Sequence, residues 1–273
     1  HRAALQDELG WRIRPEAAAA NLGDQKRETE VGEWRKEKLK ARYGDRLFAD
    51  VLVPLSGEDV SWYALEQALL IAQQDGSRLQ GLHIAKDVEQ AQAVKEKFEQ
   101  RCREEGVKGS LAIESGEIAN KICQRASLTD LIVVNLAHPP APQLFAKISS
   151  GFRTLIHRSP RPILAVPEPA TPLKHALLAY AADRPKAEEA LFVATYLAEM
   201  WNTHLTILTI DDEPQEAMDR LRDYLDFHEV QADFVAEHGS PAEAILRNAD
   251  SLKCDLLIMG GYSCSWRGLL SGR

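Results

Sequence analysis

The sequence predicts an α/β protein: two tandem open parallel-sheet domains preceded by an N-terminal helical segment. The stretch Asp255-Leu256-Leu257-Ile258-Met259-Gly260-Gly261 sets an acidic residue, four apolar residues and a glycine stop in a row. That order reads as a strand buried on both faces, followed by a turn. Asp130-Leu131-Ile132-Val133-Val134-Asn135 repeats the phrase 125 positions earlier (255 − 130). A second strand pair, Val51–Leu55 and Ala176–Tyr180, is separated by the same interval (176 − 51 = 125). Two strand pairs at one offset mark an internal duplication.

Residues 1–46 have no counterpart in the second copy and form an N-terminal helical arm or linker. In it Asp24 is placed to cap a helix along which Val31, Trp34, Leu39 and Tyr43 recur, with Gly44 as its stop. The first domain spans 47–168. After the opening strand at 50–55, Asp59 or Ser61 caps a helix whose buried stripe is Leu65, Ala68, Leu69 and Ala72, and Gly76 ends it. A strand at Arg78–Ala85 follows, then a polar helix over about 87–105 and a strand at Val107–Ile113. Gly116 opens a helix to about Ser127, and Asp130–Leu136 is the fourth strand. A helix over about Leu144–His157 and a short strand at Pro162–Val166 complete the unit. Strict alternation of strand and helix requires parallel pairing with right-handed crossovers.

Pro167, Pro169 and Pro172 stiffen the connection to the second domain, 173–273. There the order repeats: strand Ala176–Tyr180, helix about Pro185–Trp201, strand Leu205–Ile210, polar helix about 213–227 and strand Val230–Ala236. Ser240-Pro241-Ala242-Glu243 is a helix start, with Ser as cap, Pro in the first turn and Glu three residues after Ser. The chain begins at His1 and stops at Arg273, so the second copy is expected to lack the last helix and strand, and both ends read as cut from something longer.

A net charge of −8 argues against a general nucleic-acid binder, which would carry a basic surface. Cys102, Cys123, Cys254 and Cys264 form no CxxC or Cys/His metal pattern and are read as reduced thiols of a cytoplasmic protein. Apolar runs fall short of the ~18–20 residues of a membrane span, so neither a span nor a signal segment is expected.

Several phrases together resemble the universal stress protein family. They are Val51–Leu55 with Ala64, Leu65 and Ala68; Gly76-Ser77-Arg78-Leu79; Arg158-Ser159-Pro160-Arg161-Pro162-Ile163-Leu164-Ala165-Val166; and Gly239-Ser240-Pro241-Ala242-Glu243-Ala244-Ile245 followed by Asp255–Gly260. The resemblance covers about 47–168 and 173–273. It implies a Rossmann-like five-stranded parallel sheet in each unit, with first and fourth strands adjacent, and pairing of two units within a homodimer or within one chain. It also implies a non-catalytic, regulatory stress-response role.

The nucleotide-binding branch of that family places ATP beyond the carboxyl ends of strands one and four, the switch point of an open α/β sheet. An aspartate after strand one contacts the nucleoside, and a Gly-x2-Gly-x9-Gly-Ser turn wraps the phosphates. In the first copy Ser56 stands at the aspartate position, Asn135 closes strand four, and His138-Pro139-Pro140 replaces the glycine turn. Proline has no N–H to offer a phosphate. Ser149-Ser150 stands near the Gly-Ser, one residue late. In the second copy Ala181 is at the aspartate position, while Gly260, Gly261 and Ser263 keep part of the turn. The resemblance therefore implies a degenerate first site and a weak or absent second one, its candidate residues being Ala179, Tyr180, Ala181, Ile210, Gly260, Gly261 and Ser263.

Two alternatives stand beside this reading. Ser56-Gly57-Glu58-Asp59-Val60-Ser61 is similar to the Ser-Gly-Gly-x-Asp-Ser loop of ATP pyrophosphatases, but Glu58 replaces the glycine that would cradle pyrophosphate. The chain is also readable as the soluble regulatory part of a larger protein, such as a membrane transporter, joined to an upstream domain. His83 and His138 have no nucleophile or acid at a recognisable spacing, so packing or surface roles are expected. Glu114 and Glu237, at corresponding ends of the third strands, belong to separate domains and do not form a shared acid–base pair. No catalytic residue, metal site or resident cofactor is expected.

Overall fold

The computed structural model of the chain describes residues 46–85, 88–136, 150–182, 186–211 and 213–260. The helix expected over about 24–44, the expected start of a helix at Leu144, and Cys264 lie outside them.

Two parallel sheets are present. The first runs β1 (Asp50–Leu55), β2 (Arg78–Ile84), β3 (Gly109–Glu114), β4 (Leu131–Asn135) and β5 (Ile163–Val166), in spatial order β3-β2-β1-β4-β5. The second consists of β6 (His175–Tyr180), β7 (His204–Ile210), β8 (Ala232–Glu237) and β9 (Leu256–Met259), in order β8-β7-β6-β9. The helices are α1 (Trp62–Asp75), α2 (Val88–Glu104), α3 (Ile118–Ala126), α4 (Ser150–Arg158), α5 (Ala187–Trp201), α6 (Gln215–Phe227) and α7 (Pro241–Ser251). The expected adjacency of first and fourth strands holds in both lobes: Leu52 pairs with Ile132, and Leu177 with Leu257.

Local chemistry explains most boundaries. Ala64, Leu65, Ala68, Leu69 and Ala72 recur at three- and four-residue spacing and bury one face of α1. Gly76 then stops it at φ 66°, with its N–H on the carbonyl of Ala72. Two strands start two residues later than expected, at Gly109 and Ala232 rather than Val107 and Val230. The reason is the same in each case. The N–H of Val107 returns to the carbonyl of Cys102 and that of Val230 to Leu225, so both residues close the preceding helix.

Ser61 and Ser240 occupy the N-cap positions of α1 and α7, but their side chains make no capping hydrogen bond. Asp59–Ser61 is a 3-10 turn, and the Ser61 hydroxyl donates to the carbonyl of Glu58 at 2.6 Å. Ser240 has extended backbone ahead of Pro241, but its exposed side chain makes no capping hydrogen bond. Instead the cap of α3 is Glu117, whose carboxylate accepts from the N–H groups of Ala119 (3.0 Å) and Asn120 (2.8 Å). A negative charge there also meets the positive end of the helix dipole.

The two lobes share a core. Leu197 and Trp201 of α5 belong to the buried cluster built on Val51, Val53, Leu65, Leu69 and Val133 of the first lobe, and Leu256 and Ile258 of β9 pack against it. The opposite faces of the sheets differ. Ile132 and Val134 are buried with Ile122, Ala126 and Leu155 of α3 and α4. At the same strand positions in the second lobe, Leu257 and Met259 are 37 % and 50 % exposed, and β9 is an edge strand among the described residues.

Candidate functional site

In an open parallel sheet the crevice for a ligand forms beyond the carboxyl ends of the strands where the order reverses. In the first lobe this point lies between β1 and β4. Gly57 leaves β1 at φ 91°, and a Cβ there would lie 3.1 Å from Val94 Cγ2 and 3.6 Å from His83 Cε1. Side chains of α2 and β2 thus fill the space against the turn. His83 is buried, its Nδ1 2.8 Å from the carbonyl oxygen of Leu55. The Ser56 hydroxyl accepts the N–H of Glu58 at 3.2 Å, and the Asn135 amide donates to the carbonyl of Val166 at 3.0 Å. Both polar groups are committed to local turns and strand ties. In the pyrophosphatase-like stretch the serine thus holds the N–H of Glu58, a backbone donor that a phosphate loop would turn to its ligand. His138-Pro139-Pro140 and Ser149 lie outside the described residues, and Ser150 starts α4.

In the second lobe Ala179 pairs with Met259 and Tyr180 with Thr209. This register gathers Ala179, Tyr180, Ala181, Ile210 and Gly260 at the carboxyl ends of β6, β7 and β9. Gly261 and Ser263 lie outside the described residues. A Cβ on Gly260 would stand 2.9 Å from the carbonyl oxygen of Lys186, so the first turn of α5 comes down on a position only glycine fits. The rim of this crevice is acidic. The N–H of Ala182 donates to Glu213 Oε2 at 3.0 Å. Tyr180 is buried, and burial, with Glu188 and Glu213 adding to it, pushes its phenol above the ordinary value. A backbone donor that would suit an anion is already held by a carboxylate, and two negative charges stand close by. The sequence reading missed Glu188 and Glu213. The run Asp211-Asp212-Glu213 directly after β7 was the signal that could have revealed one of them.

Other titratable groups are accounted for structurally. Glu114 at the end of β3 meets Lys121 (3.0 Å) and Arg125 (2.7 Å), and these two hold its carboxyl below the usual range. Glu237 at the end of β8 is similarly lowered by Asn248 and Arg247. Both carboxylates ionise more readily folded than unfolded. Their contribution is fully present above the unfolded value of about 4.3 and is lost as pH falls through the lower folded value. Glu114→Gln is expected to flatten the fall of the urea midpoint between about pH 5 and 3. An unchanged acid limb would show that the pairs contribute nothing.

The thiols of Cys102, Cys123 and Cys254 are free and burial raises all three, Cys102 to about 11, which makes poor nucleophiles. Among the described residues no cluster of three or more His, Cys, Asp and Glu is arranged to hold a metal ion. No described helix is long and apolar enough to cross a membrane.

Residues 171–272 match the family described as the Universal stress protein family. No curated protein matches the chain. Among solved structures, a universal stress protein from Archaeoglobus fulgidus DSM 4304 is similar with TM-score 0.66 and 18 % identity over 83 % of this chain and 90 % of that one. A putative universal stress protein from Pseudomonas aeruginosa UCBPP-PA14 is similar with TM-score 0.61 and 18 % identity, covering 78 % of this chain and 82 % of that one. At such identities these likenesses establish the shared fold. They extend across both lobes, as the internal repeat requires. Residues 171–272 thus match the universal stress protein family, and a second copy of the same α/β fold precedes them.

Proposed function

We propose that the chain is a non-catalytic, regulatory module of the universal stress protein type, with working units at 47–168 and 173–273. Any nucleotide would be held by the second unit alone, weakly, around Ala179, Tyr180, Ala181, Ile210, Gly260, Gly261 and Ser263. The observation that carries this reading is the contrast between the two switch points. At the first, Val94 and His83 stand behind Gly57, and Asn135 closes β4 with its amide on the Val166 carbonyl. The second has glycine at its turn but sets Glu213 on the Ala182 N–H at 3.0 Å. Phosphate approaching that crevice meets carboxylates where it needs donors. The absence of an aspartate at Ala181 removes a nucleoside contact as well, at a cost on the order of 1 kcal/mol or more. The pairing of lobes within one chain supports a module that acts through its surface. A cytoplasmic setting and a homodimer of such chains belong to the same proposal.

Titration calorimetry with ATP tests it. Ala181→Asp should tighten adenine-nucleotide binding by roughly five- to tenfold, and Gly261→Pro should weaken it. Tight binding that ignores both changes would place the site elsewhere. Turnover of ATP by the purified chain would overturn the non-catalytic reading.

A further inference from the structure

Asp75 is a carboxylate only 6 % exposed, at the last position of α1. It accepts three hydrogen bonds, from the Trp201 indole Nε1 (2.9 Å), the Tyr196 hydroxyl (2.6 Å) and the Phe48 N–H (3.1 Å). Phe48 belongs to the first lobe, Tyr196 and Trp201 to the second. The three aromatic rings stand edge to face around the carboxylate, with centroids 5.9 to 6.4 Å apart. The Leu47 N–H also donates across the junction, to the Tyr196 hydroxyl at 3.0 Å.

The internal repeat gives this contact its meaning. Gly76 ends α1 and Asn202 ends α5, both in the left-handed conformation, 126 residues apart (202 − 76). β2 and β7 start at the same interval (204 − 78 = 126). Asp75 and Trp201 are therefore the same position in the two copies (201 − 75 = 126), brought face to face by the pairing of the lobes. Two identical units paired in this way would set Asp against Asp or Trp against Trp. The first repels, and the second leaves each indole N–H buried without an acceptor. Only a first lobe against a second lobe matches acceptor with donor.

We propose that Asp75 and Trp201 form a keyed contact that makes the lobe junction accept unlike lobes and reject like ones. Its partner surface is the α5 end of the second lobe, with Tyr196 and the Phe48 N–H completing the acceptor's shell. The key favours a first lobe against a second lobe and disfavours pairing of two equivalent lobes from different chains. Like-charge juxtaposition is an efficient way to suppress wrong partners, because it acts on the wrong pair alone.

The test is a set of full-length variants followed by thermal unfolding and by acrylamide quenching of tryptophan. Asp75→Ala should lower the melting midpoint by roughly 5–10 °C, since it strands a buried indole N–H and a backbone N–H. Trp201→Phe should lower it less, and Asp75→Ala added to Trp201→Phe should cost clearly less than the sum of the two. Trp201→Asp sets two carboxylates face to face and should be worse than Trp201→Phe. Adding Asp75→Ala should then restore part of the loss. Quenching should rise in Asp75→Ala but not when Trp201 is already phenylalanine. Strict additivity of Asp75→Ala with Trp201→Phe would overturn the proposal even if Trp201→Asp fails to fold. Failure of Asp75→Ala to rescue a folded Trp201→Asp protein would also overturn it.

Discussion

Ile132→Ala is expected to destabilise the protein by about 2–5 kcal/mol, whereas Leu257→Ala, at the same place in the second copy, should cost less than about 1 kcal/mol. Both residues lie on the fourth strand of their lobe and pair with the first strand through Leu52 and Leu177. Their surroundings differ. Ile132 is 0 % exposed, packed with Leu52, Leu82, Ile122, Ala126 and Leu155. Removing its three carbons opens a cavity that α3 and α4 cannot collapse without losing their own contacts. Leu257 is 37 % exposed, so truncation there trims surface already in water. Urea denaturation of the two variants reads the difference directly. Equal losses would show that the outer face of β9 is covered in solution, and would point to self-association or to a further segment at that edge.

Much of the fold was legible because parallel strands buried on both faces write themselves as unbroken apolar runs. Val51–Leu55, Leu131–Asn135 and Ala176–Tyr180 stand out for that reason, and the interval of 125 follows; Leu256–Met259 writes the same run but is not buried on both faces, since Leu257 and Met259 are exposed. The extra residue that makes the interval 126 at the ends of α1 and α5 and at the starts of β2 and β7 was not legible. It falls between β6 and the alanine-rich α5, where several registers bury an equally good stripe. Ser61 and Ser240 do stand at the N-cap positions of α1 and α7, but neither hydroxyl makes the capping bond, and Ser61 bonds back to Glu58 instead. Asp75 was invisible for a different reason. At the end of an amphipathic helix it reads as a solvated charge, and its partners Tyr196 and Trp201 lie 121 and 126 residues away. Glu213 likewise looks like a polar helix start until the fold brings it onto the Ala182 N–H. Groups that act through distant partners leave no local period to read.

The switch point of the second lobe is built around one missing side chain. Gly260 ends β9 beneath the first turn of α5, and a Cβ there would lie 2.9 Å from Lys186 O, 3.0 Å from Lys186 C and 3.1 Å from Ala187 N. All three are backbone atoms, so no flexible side chain can swing aside. Lys186 already has φ 72°, a strained conformation for a residue other than glycine. Gly260→Val is therefore expected to cost about 3 kcal/mol, the upper end of overpacking, and Gly260→Ala about 1 kcal/mol. The displacement would fall on α5, the helix that carries Tyr196 and Trp201 into the lobe junction. Thermal unfolding should accordingly show a lower midpoint for Gly260→Val, accompanied by greater exposure of Trp201 to acrylamide. In the first copy the same position is Asn135, whose amide reaches the carbonyl of Val166 at 3.0 Å. The reciprocal change Asn135→Gly should therefore remove a tie between β4 and β5 and open no crevice. A Gly260→Val protein as stable as the parent would mean that α5 does not sit on β9 as described, and the crevice assigned to the second lobe would lose its floor.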